Sequence, residues 1–488
     1  MITSQLINLQ IWSKKTVNGP FLAKALLIGA VFISYLFLPT DTDLGWHLRY
    51  GQHIFETASV FRKNKIGFFL PEYQWIHSYS LYQLITFVVY KYLGFGGLAF
   101  LGAGIISLIA WTIIASFPKK TFWPVFGILL TLFLSLPATN MGYRSQTLSI
   151  LGFSTLLYLL SKPIDKKSLF LIPVIFLIWA NLHGGFIFGF VLLGFHFLEK
   201  IIRKKNKEAV GLAIASITAF LATLINPFGF KIYWESYRHS WYPLNKLIAE
   251  WTPPNSLYVL VILSIASLVI IKLLSLKISD FFKKEGLVTF GLSWLFFTYL
   301  SFKAKRHLPF FALSSVYLLA KLFSEKKGGR RLINKACLLL TGLILLTIIV
   351  AHLVNPPNLK NYWQQIASQK SWPLPEKAIE FLKGKEELCP NLFNTYEWGG
   401  YLSWHLPKVK TFVDGRMPAW PTPEGKSPYT IYLEIIQARN GFSQRLIDYN
   451  ADCLFISKGT FLDLELKNNP IYPWEIIYQD DRATIYKR

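Results

Sequence analysis

Asp41 and Asp43 stand two residues apart directly behind the first apolar run of the chain, and Trp46, His47 and Arg49 follow at once. Carboxylates at the mouth of a membrane span are costly unless they bind a cation, accept a proton or cap a helix. In an extended segment, side chains at this spacing point the same way, roughly 7 Å apart. They could then flank one divalent cation, magnesium or manganese, or one substrate hydroxyl. In a helix beginning near Asp43, that residue instead stacks over His47 one turn on. The plain alternative is that Thr42 or Asp43 caps this helix, satisfying backbone N–H groups that have no other partner.

The elements that must hold these residues are membrane spans. The chain has 488 residues, 52% of them hydrophobic and 16% aromatic, with a net charge of +24. Apolar stretches of about 17–25 residues are long enough to cross a bilayer. Such stretches, some of them shorter, fall near 21–39, 76–93, 97–116, 121–138, 146–161, 168–181, 184–200, 209–225, 257–275, 287–302, 307–323 and 334–354. The positive charge lies in short loops between them: Lys119-Lys120, Lys166-Lys167, Arg203-Lys204-Lys205, Lys283-Lys284, Lys326-Lys327 and Arg330-Arg331. That is the pattern of cytoplasmic loops rather than of a nucleic-acid surface, so no nucleic-acid partner is expected. The first apolar run has no small-residue cleavage site behind it and reads as an uncleaved span.

With the basic loops inside, the N-terminus is cytoplasmic and the large first loop, 40–75, lies outside. Segment 76–93 begins polar and carries Lys91, which makes it partial or interfacial and leaves eleven crossings. The expected fold is mostly α, a polytopic protein of the plasma (inner) membrane over 1–355 with about eleven or twelve transmembrane helices. A small extracytoplasmic α/β domain then covers 356–488. There Pro375–Leu382 reads as a helix, Thr411–Val413 and Cys453–Ser457 as buried strands, and Trp474–Tyr478 with Ala483–Tyr486 as a closing pair. Cys389 and Cys453 are expected as two free, partly buried thiols in preference to a disulfide.

This topology gathers the unusual polar residues on one side. Arg144 and Gln146, His183 in Asn181-Leu182-His183-Gly184-Gly185, Asn226-Pro227-Phe228-Gly229, Glu250 in Glu250-Trp251-Thr252-Pro253-Pro254, and Arg306-His307 all fall at outer helix ends. Arg144, Arg306 and Arg416 could each grip phosphate with a two-pronged guanidinium. The plain counterpart is an arginine snorkelling to headgroups. Glu250 reads by default as a solvated loop acid, and His196 as a core or lipid-boundary residue. Trp46, Trp75 and Trp398 could stack on sugar faces; the interfacial aromatic belt suits Trp75 better.

As a set, Asp-x-Asp-x-x-Trp-His-Leu after the first span, Arg144-Ser145-Gln146, Asn181–Gly185, Asn226–Gly229, Glu250–Pro254 and Arg306-His307-Leu308-Pro309-Phe310 resemble the GT-C superfamily of membrane glycosyltransferases. The set is most similar to a group of multi-pass bacterial members. In the tail, Tyr396-Glu397-Trp398-Gly399-Gly400-Tyr401-Leu402, followed by Asp414-Gly415-Arg416, is loosely similar to the Trp-Trp-Asp-Tyr-Gly region of oligosaccharyltransferase catalytic subunits. Gly399 stands where that motif has its aspartate.

The resemblance implies a first outer loop holding the catalytic acid, a sugar donor on polyprenyl phosphate, and a tail lying over the active site. Asp41 or Asp43 is then the base. Trp46, His47, Arg49, Arg144, Gln146, His183, Glu250, Arg306, His307, Trp398, Tyr401, Asp414 and Arg416 are the candidate substrate-binding residues. A glycan or protein would be the acceptor, membrane lipid the surroundings, and a divalent ion on Asp41 and Asp43 an optional cofactor. Two other readings compete: a transporter or flippase of lipid-linked glycans, and a degenerate member whose tail binds a glycan or partner. A transporter needs charges within spans, each at about 2.5–3.5 kcal/mol, and few stand out.

Overall fold

The computed structural model describes residues 19–118, 123–242, 248–323 and 374–488. The last expected span, 334–354, and the start of the tail at 356 lie outside the described residues. The membrane part opens with α1 (Gly19–Ser34), α2 (Leu44–Thr57), α3 (Ser80–Ser116), α4 (Trp123–Thr139), α5 (Ser145–Leu160), α6 (Lys166–Trp179) and α7 (Ile187–Ile202). It continues with α8 (Asn206–Thr223), α9 (Lys231–Trp241), α10 (Ser256–Leu274), α11 (Ile278–Lys283), α12 (Leu287–Lys303) and α13 (Leu308–Leu322). Among the described residues, Ser80–Ser116, Gly184–Ile202 and Ala249–Leu274 are long and apolar enough to cross a membrane, and four shorter helices are also apolar.

The two stretches read separately at 76–93 and 97–116 form the single element α3, broken at Gly94, whose φ of 63° and ψ of −162° no helix accommodates. The reason is local: only glycine takes such a backbone without strain. The first half of α3 packs against the turn after α6 and against the tail. Leu81 N–H donates to Asn181 C=O at 3.0 Å, while Phe87 and Tyr90 meet Trp404 of the tail at 6.4 and 5.4 Å between ring centroids.

The tail contains α14 (Glu376–Leu382), β1 (Asn391–Asn394), α15 (Gly399–His405), β2 (Lys410–Thr411), α16 (Pro428–Ile436), α17 (Phe442–Asp448), β3 (Cys453–Ser457), α18 (Phe461–Asn468), β4 (Glu475–Gln479) and β5 (Ala483–Lys487). Strand order is β2-β1-β3-β5-β4, parallel from β2 to β3 and antiparallel beyond. The first outer loop adds to the β2 edge. Thr411 N–H donates to Ile66 C=O at 3.2 Å, and Phe68 N–H to Thr411 C=O at 3.1 Å.

Loop and tail also share one core, in which Trp46, Tyr50, Ile66, Phe69 and Trp75 pack with Phe393, Phe412, Val413 and Trp420. Trp75 is therefore buried in this core rather than placed as a belt residue. The expectation of free thiols is corrected as well: Cys389 and Cys453 are joined by a disulfide across 64 residues. Cys389 directly precedes Pro390 and β1, and Cys453 opens β3, so pairing of these neighbouring strands brings the thiols together. Replacing both cysteines by serine is expected to cost ~4 kcal/mol, the chain-entropy value for a loop of this size, read as a lower midpoint in denaturant.

Candidate active site

Residues 41–43 form a turn, not an extended strand. Asp41 Oδ1 accepts the Asp43 backbone N–H at 3.2 Å, and α2 starts at the next residue. This corrects the picture of two parallel side chains and gives the carboxylates different neighbours. Asp41 is buried and takes Arg144 Nε on Oδ2 at 2.8 Å. Asp43 occupies the N-cap position of α2, yet its side chain makes no capping bond. Its Oδ1 accepts the indole N–H of Trp46 at 3.0 Å instead. Among the described residues, Asp43 has no cation in direct contact. Burial first, and then the Asp41 carboxylate, push its carboxyl up to about 7 against the pull of Arg144.

From Asp41 an ion-pair run crosses the tail-facing end of the helices. Arg144, in the turn before α5, reaches Glu250 Oε2 through Nη1 at 3.4 Å. Glu250 Oε1 lies 3.6 Å from Arg306 Nη1, in the turn between α12 and α13. Arg306 lies over the Trp251 ring at 4.1 Å, which holds its guanidinium flat. Glu250 is therefore not a solvated loop acid. Nη2 of Arg144 has no hydrogen-bond partner among the described residues, so one edge of that guanidinium remains available to an anion.

The tail closes over this run through glycines. A Cβ at Gly415 would overlap the Asp43 carboxylate, one at Gly400 the Thr42 carbonyl, and one at Gly45 the Gly400 carbonyl. A Cβ at Gly399 would overlap the Val413 carbonyl. This explains why glycine rather than aspartate stands there: the backbone of α15 is pressed between the first loop and the Asp414 turn.

The other anticipated residues divide. His183 and His307 reach the same end of the bundle, the latter with Nδ1 3.1 Å from Leu300 C=O. Gln146 is buried there with its Oε1 unpartnered among the described residues, and His47 packs against Trp46 with ring centroids 3.6 Å apart, tilted by 35°. Arg49 faces away, bonding Gln52 and the Pro407 carbonyl. Trp398 and Tyr401 are core residues of the tail, and Trp46 is buried too, so none of the three offers an open face for a sugar.

Arg416 is wholly buried, gripped bidentately by Asp414 at 2.8 and 2.6 Å and bonded to Tyr50 at 2.5 Å. Tyr50, Trp75 and Trp420 surround it within 5.6 Å. It braces the tail turn and presents no edge to a phosphate. His196 is a core residue, its Nδ1 3.0 Å from the Thr289 hydroxyl.

Two tyrosines at the site were not anticipated. Tyr79 lies between His47 and His183, at 5.6 and 5.7 Å between rings. Burial pushes its hydroxyl up to about 12, and Arg306, Glu250, Asp43 and Arg144 are the charges it feels. Tyr396 in the tail feels the Asp43 carboxylate and packs against Tyr429 with ring centroids 4.3 Å apart, tilted by 55°.

The carboxylate oxygens of Asp41 and Asp43 are largely taken up by protein donors. Asp41 has one oxygen on Arg144 and the other on a backbone N–H, and Asp43 has one on Trp46. No group of three His, Cys, Asp or Glu suited to a metal gathers among the described residues. The cation between Asp41 and Glu250 is the Arg144 guanidinium itself.

No protein-family model matches the sequence, and no curated protein matches it. Solved structures do. The oligosaccharyltransferase AglB from Archaeoglobus fulgidus, in complex with an inhibitory peptide and a dolichol-phosphate, superposes with a TM-score of 0.58 at 10% identity over 93% of this chain and 70% of AglB. Its apo form matches equally. ArnT from Cupriavidus metallidurans, bound to undecaprenyl phosphate, gives 0.52 at 12% identity, over 96% of this chain and 98% of ArnT. The fold is GT-C. The likeness to ArnT runs almost end to end, so membrane helices and tail together make up the GT-C body. Both neighbours are membrane glycosyltransferases, and the turn bearing Asp41 and Asp43 here lies between the helices and the tail of such a body.

Proposed function

We propose that this protein is an inverting glycosyltransferase that moves a sugar from a polyprenyl-phosphate donor to an acceptor hydroxyl at the outer face of the cytoplasmic membrane. Asp43 takes the proton as the acceptor oxygen attacks the anomeric carbon. The bond from that carbon to the phosphate oxygen breaks, and its electron pair leaves with the phosphate. Arg144 and Arg306 meet the charge that develops there.

The observation that carries this reading is the asymmetry of the site: a carboxyl with no cation in contact among the described residues, poised near neutral pH, beside two guanidinium groups joined through Glu250. The lysine- and arginine-rich loops support a cytoplasmic N-terminus, and the tail disulfide supports its export to an oxidising compartment. Polyprenyl phosphates bound by ArnT and AglB support a lipid-linked donor. The acceptor is a glycan or a protein.

The test incubates the purified protein in lipid vesicles with a panel of radiolabelled polyprenyl-phosphate sugars and cell-envelope acceptors. Labelled acceptor is expected with at least one donor, and EDTA is expected to leave the rate unchanged, since guanidinium groups supply the positive charge. Passage of intact donor across the vesicle without any labelled product would instead establish a transporter.

A further inference from the structure

His183 sits in the tight turn between α6 and α7 and is almost fully buried. Its Nδ1 accepts the Gly185 backbone N–H at 3.0 Å and lies 2.7 Å from the Ser149 hydroxyl. Ser149 in turn accepts the Trp179 indole N–H at 2.8 Å. A backbone amide can only donate, so in this network Nδ1 is the bare nitrogen and the Ser149 hydroxyl points its proton at it. The single proton of the neutral ring is then on Nε2. Gly185 is required by the same arrangement, because a Cβ there would overlap the Ser149 hydroxyl and approach Nδ1 to 3.1 Å. The turn therefore exists to clamp one edge of an imidazole.

The ring also feels the ion-pair run. Tyr79 packs 5.7 Å away, and Arg306, Glu250 and Arg144 are the charged groups acting on the ring. Burial first, and then Arg306, hold the imidazole down to about 3, so it stays neutral throughout the physiological range. Neutrality matters here. An imidazolium would compete with Arg144 and Arg306 for Glu250, whereas a neutral N–H adds a bond without adding a charge.

We infer that His183 is a fixed neutral hydrogen-bond donor whose Nε2–H binds a non-bridging oxygen of the donor's phosphate beside Arg144 and Arg306. Ser149 and Trp179 are positioning residues that set its tautomer. This rests on the polyprenyl-phosphate reading given above.

The test uses polyprenyl monophosphate as the probe, titrated into the purified full-length protein in detergent, with the unphosphorylated polyprenol as control. His183→Ala and Ser149→Ala are expected to weaken polyprenyl phosphate about tenfold, the loss of one bond to a charged group, and to leave polyprenol binding unchanged. His183→Gln places an amide N–H where Nε2–H was and is expected to recover most of the affinity; His183→Asn, which mimics the other nitrogen, is not.

Equal phosphate affinity in wild type and in a folded His183→Ala variant would overturn the inference and leave the donor class standing. A wild-type protein that does not bind polyprenyl phosphate at all would overturn the donor class itself. Should the variants not fold, nitrogen-15 NMR of the wild-type imidazole decides. A bare Nδ1 and an Nε2–H whose resonance moves on adding the phosphate are expected, and a proton on Nδ1 sinks the inference.

Discussion

Asp43→Asn is expected to slow sugar transfer about 10²–10⁴-fold, the usual contribution of a positioned general base, while Asp41→Asn acts chiefly by loosening Arg144. The wild-type rate should rise with pH through about 7, where the buried Asp43 carboxyl loses its proton, and level off above it. Stability runs the other way. A carboxyl whose folded value is raised from 3.8 to about 7 stabilises the fold only while protonated. That contribution is complete below about pH 4 and fades as pH climbs to 7. At about 1.4 kcal/mol per unit, the penalty above pH 7 is roughly 4 kcal/mol at most. The asparagine variant escapes it, so its melting temperature should match wild type below about pH 4 and exceed it increasingly up to pH 8. A flat rate between pH 6 and 8, or full activity in Asp43→Asn, would remove Asp43 from the mechanism.

Three residues of the ion-pair run, Asp41, Arg144 and Arg306, were legible one by one as charged residues beside an apolar run, where the cost of such placement singles them out; Glu250, in a long loop, reads by default as a solvated acid. Their order was not legible, because it comes from packing five chain segments at one end of the bundle. Proximity in sequence even misled: Asp41 and Asp43 look like a matched pair, yet an Asx turn sends one carboxylate to Arg144 and the other to Trp46.

Tyr79 carried no signal, since the chain holds 24 tyrosines and residue type says nothing about which of them face charge; Tyr396 opened the tail motif, but nothing in that motif marked it as facing Asp43. In the tail, β3 and the β4–β5 pair stood out as short apolar runs. β1, Asn-Leu-Phe-Asn, is too short and polar at its ends to be seen. Trp75 shows the same limit, because an interfacial tryptophan and one buried between two outer layers have identical sequence signatures. Only the pairing of loop 66–68 with β2 separates them.

Arg144→Ala is expected to be the most damaging change outside the base, and for two separable reasons. It leaves Asp41 buried without its partner, a cost of about 3–5 kcal/mol when one half of a buried pair is removed. It also takes one of two cations from the leaving phosphate, where the loss of a single stabilising donor typically slows reaction about 10²–10³-fold. Adding Asp41→Asn to Arg144→Ala relieves the first effect by removing the stranded charge, and cannot repair the second. The double variant should therefore regain most of the wild-type melting temperature while transferring sugar as poorly as the single variant. Arg144→Lys should fall between, because an ammonium is a point charge and cannot span Asp41 and Glu250 with fixed, planar donors. If the double variant recovers stability and rate together, Arg144 serves only to hold Asp41 and the phosphate role passes to Arg306 alone.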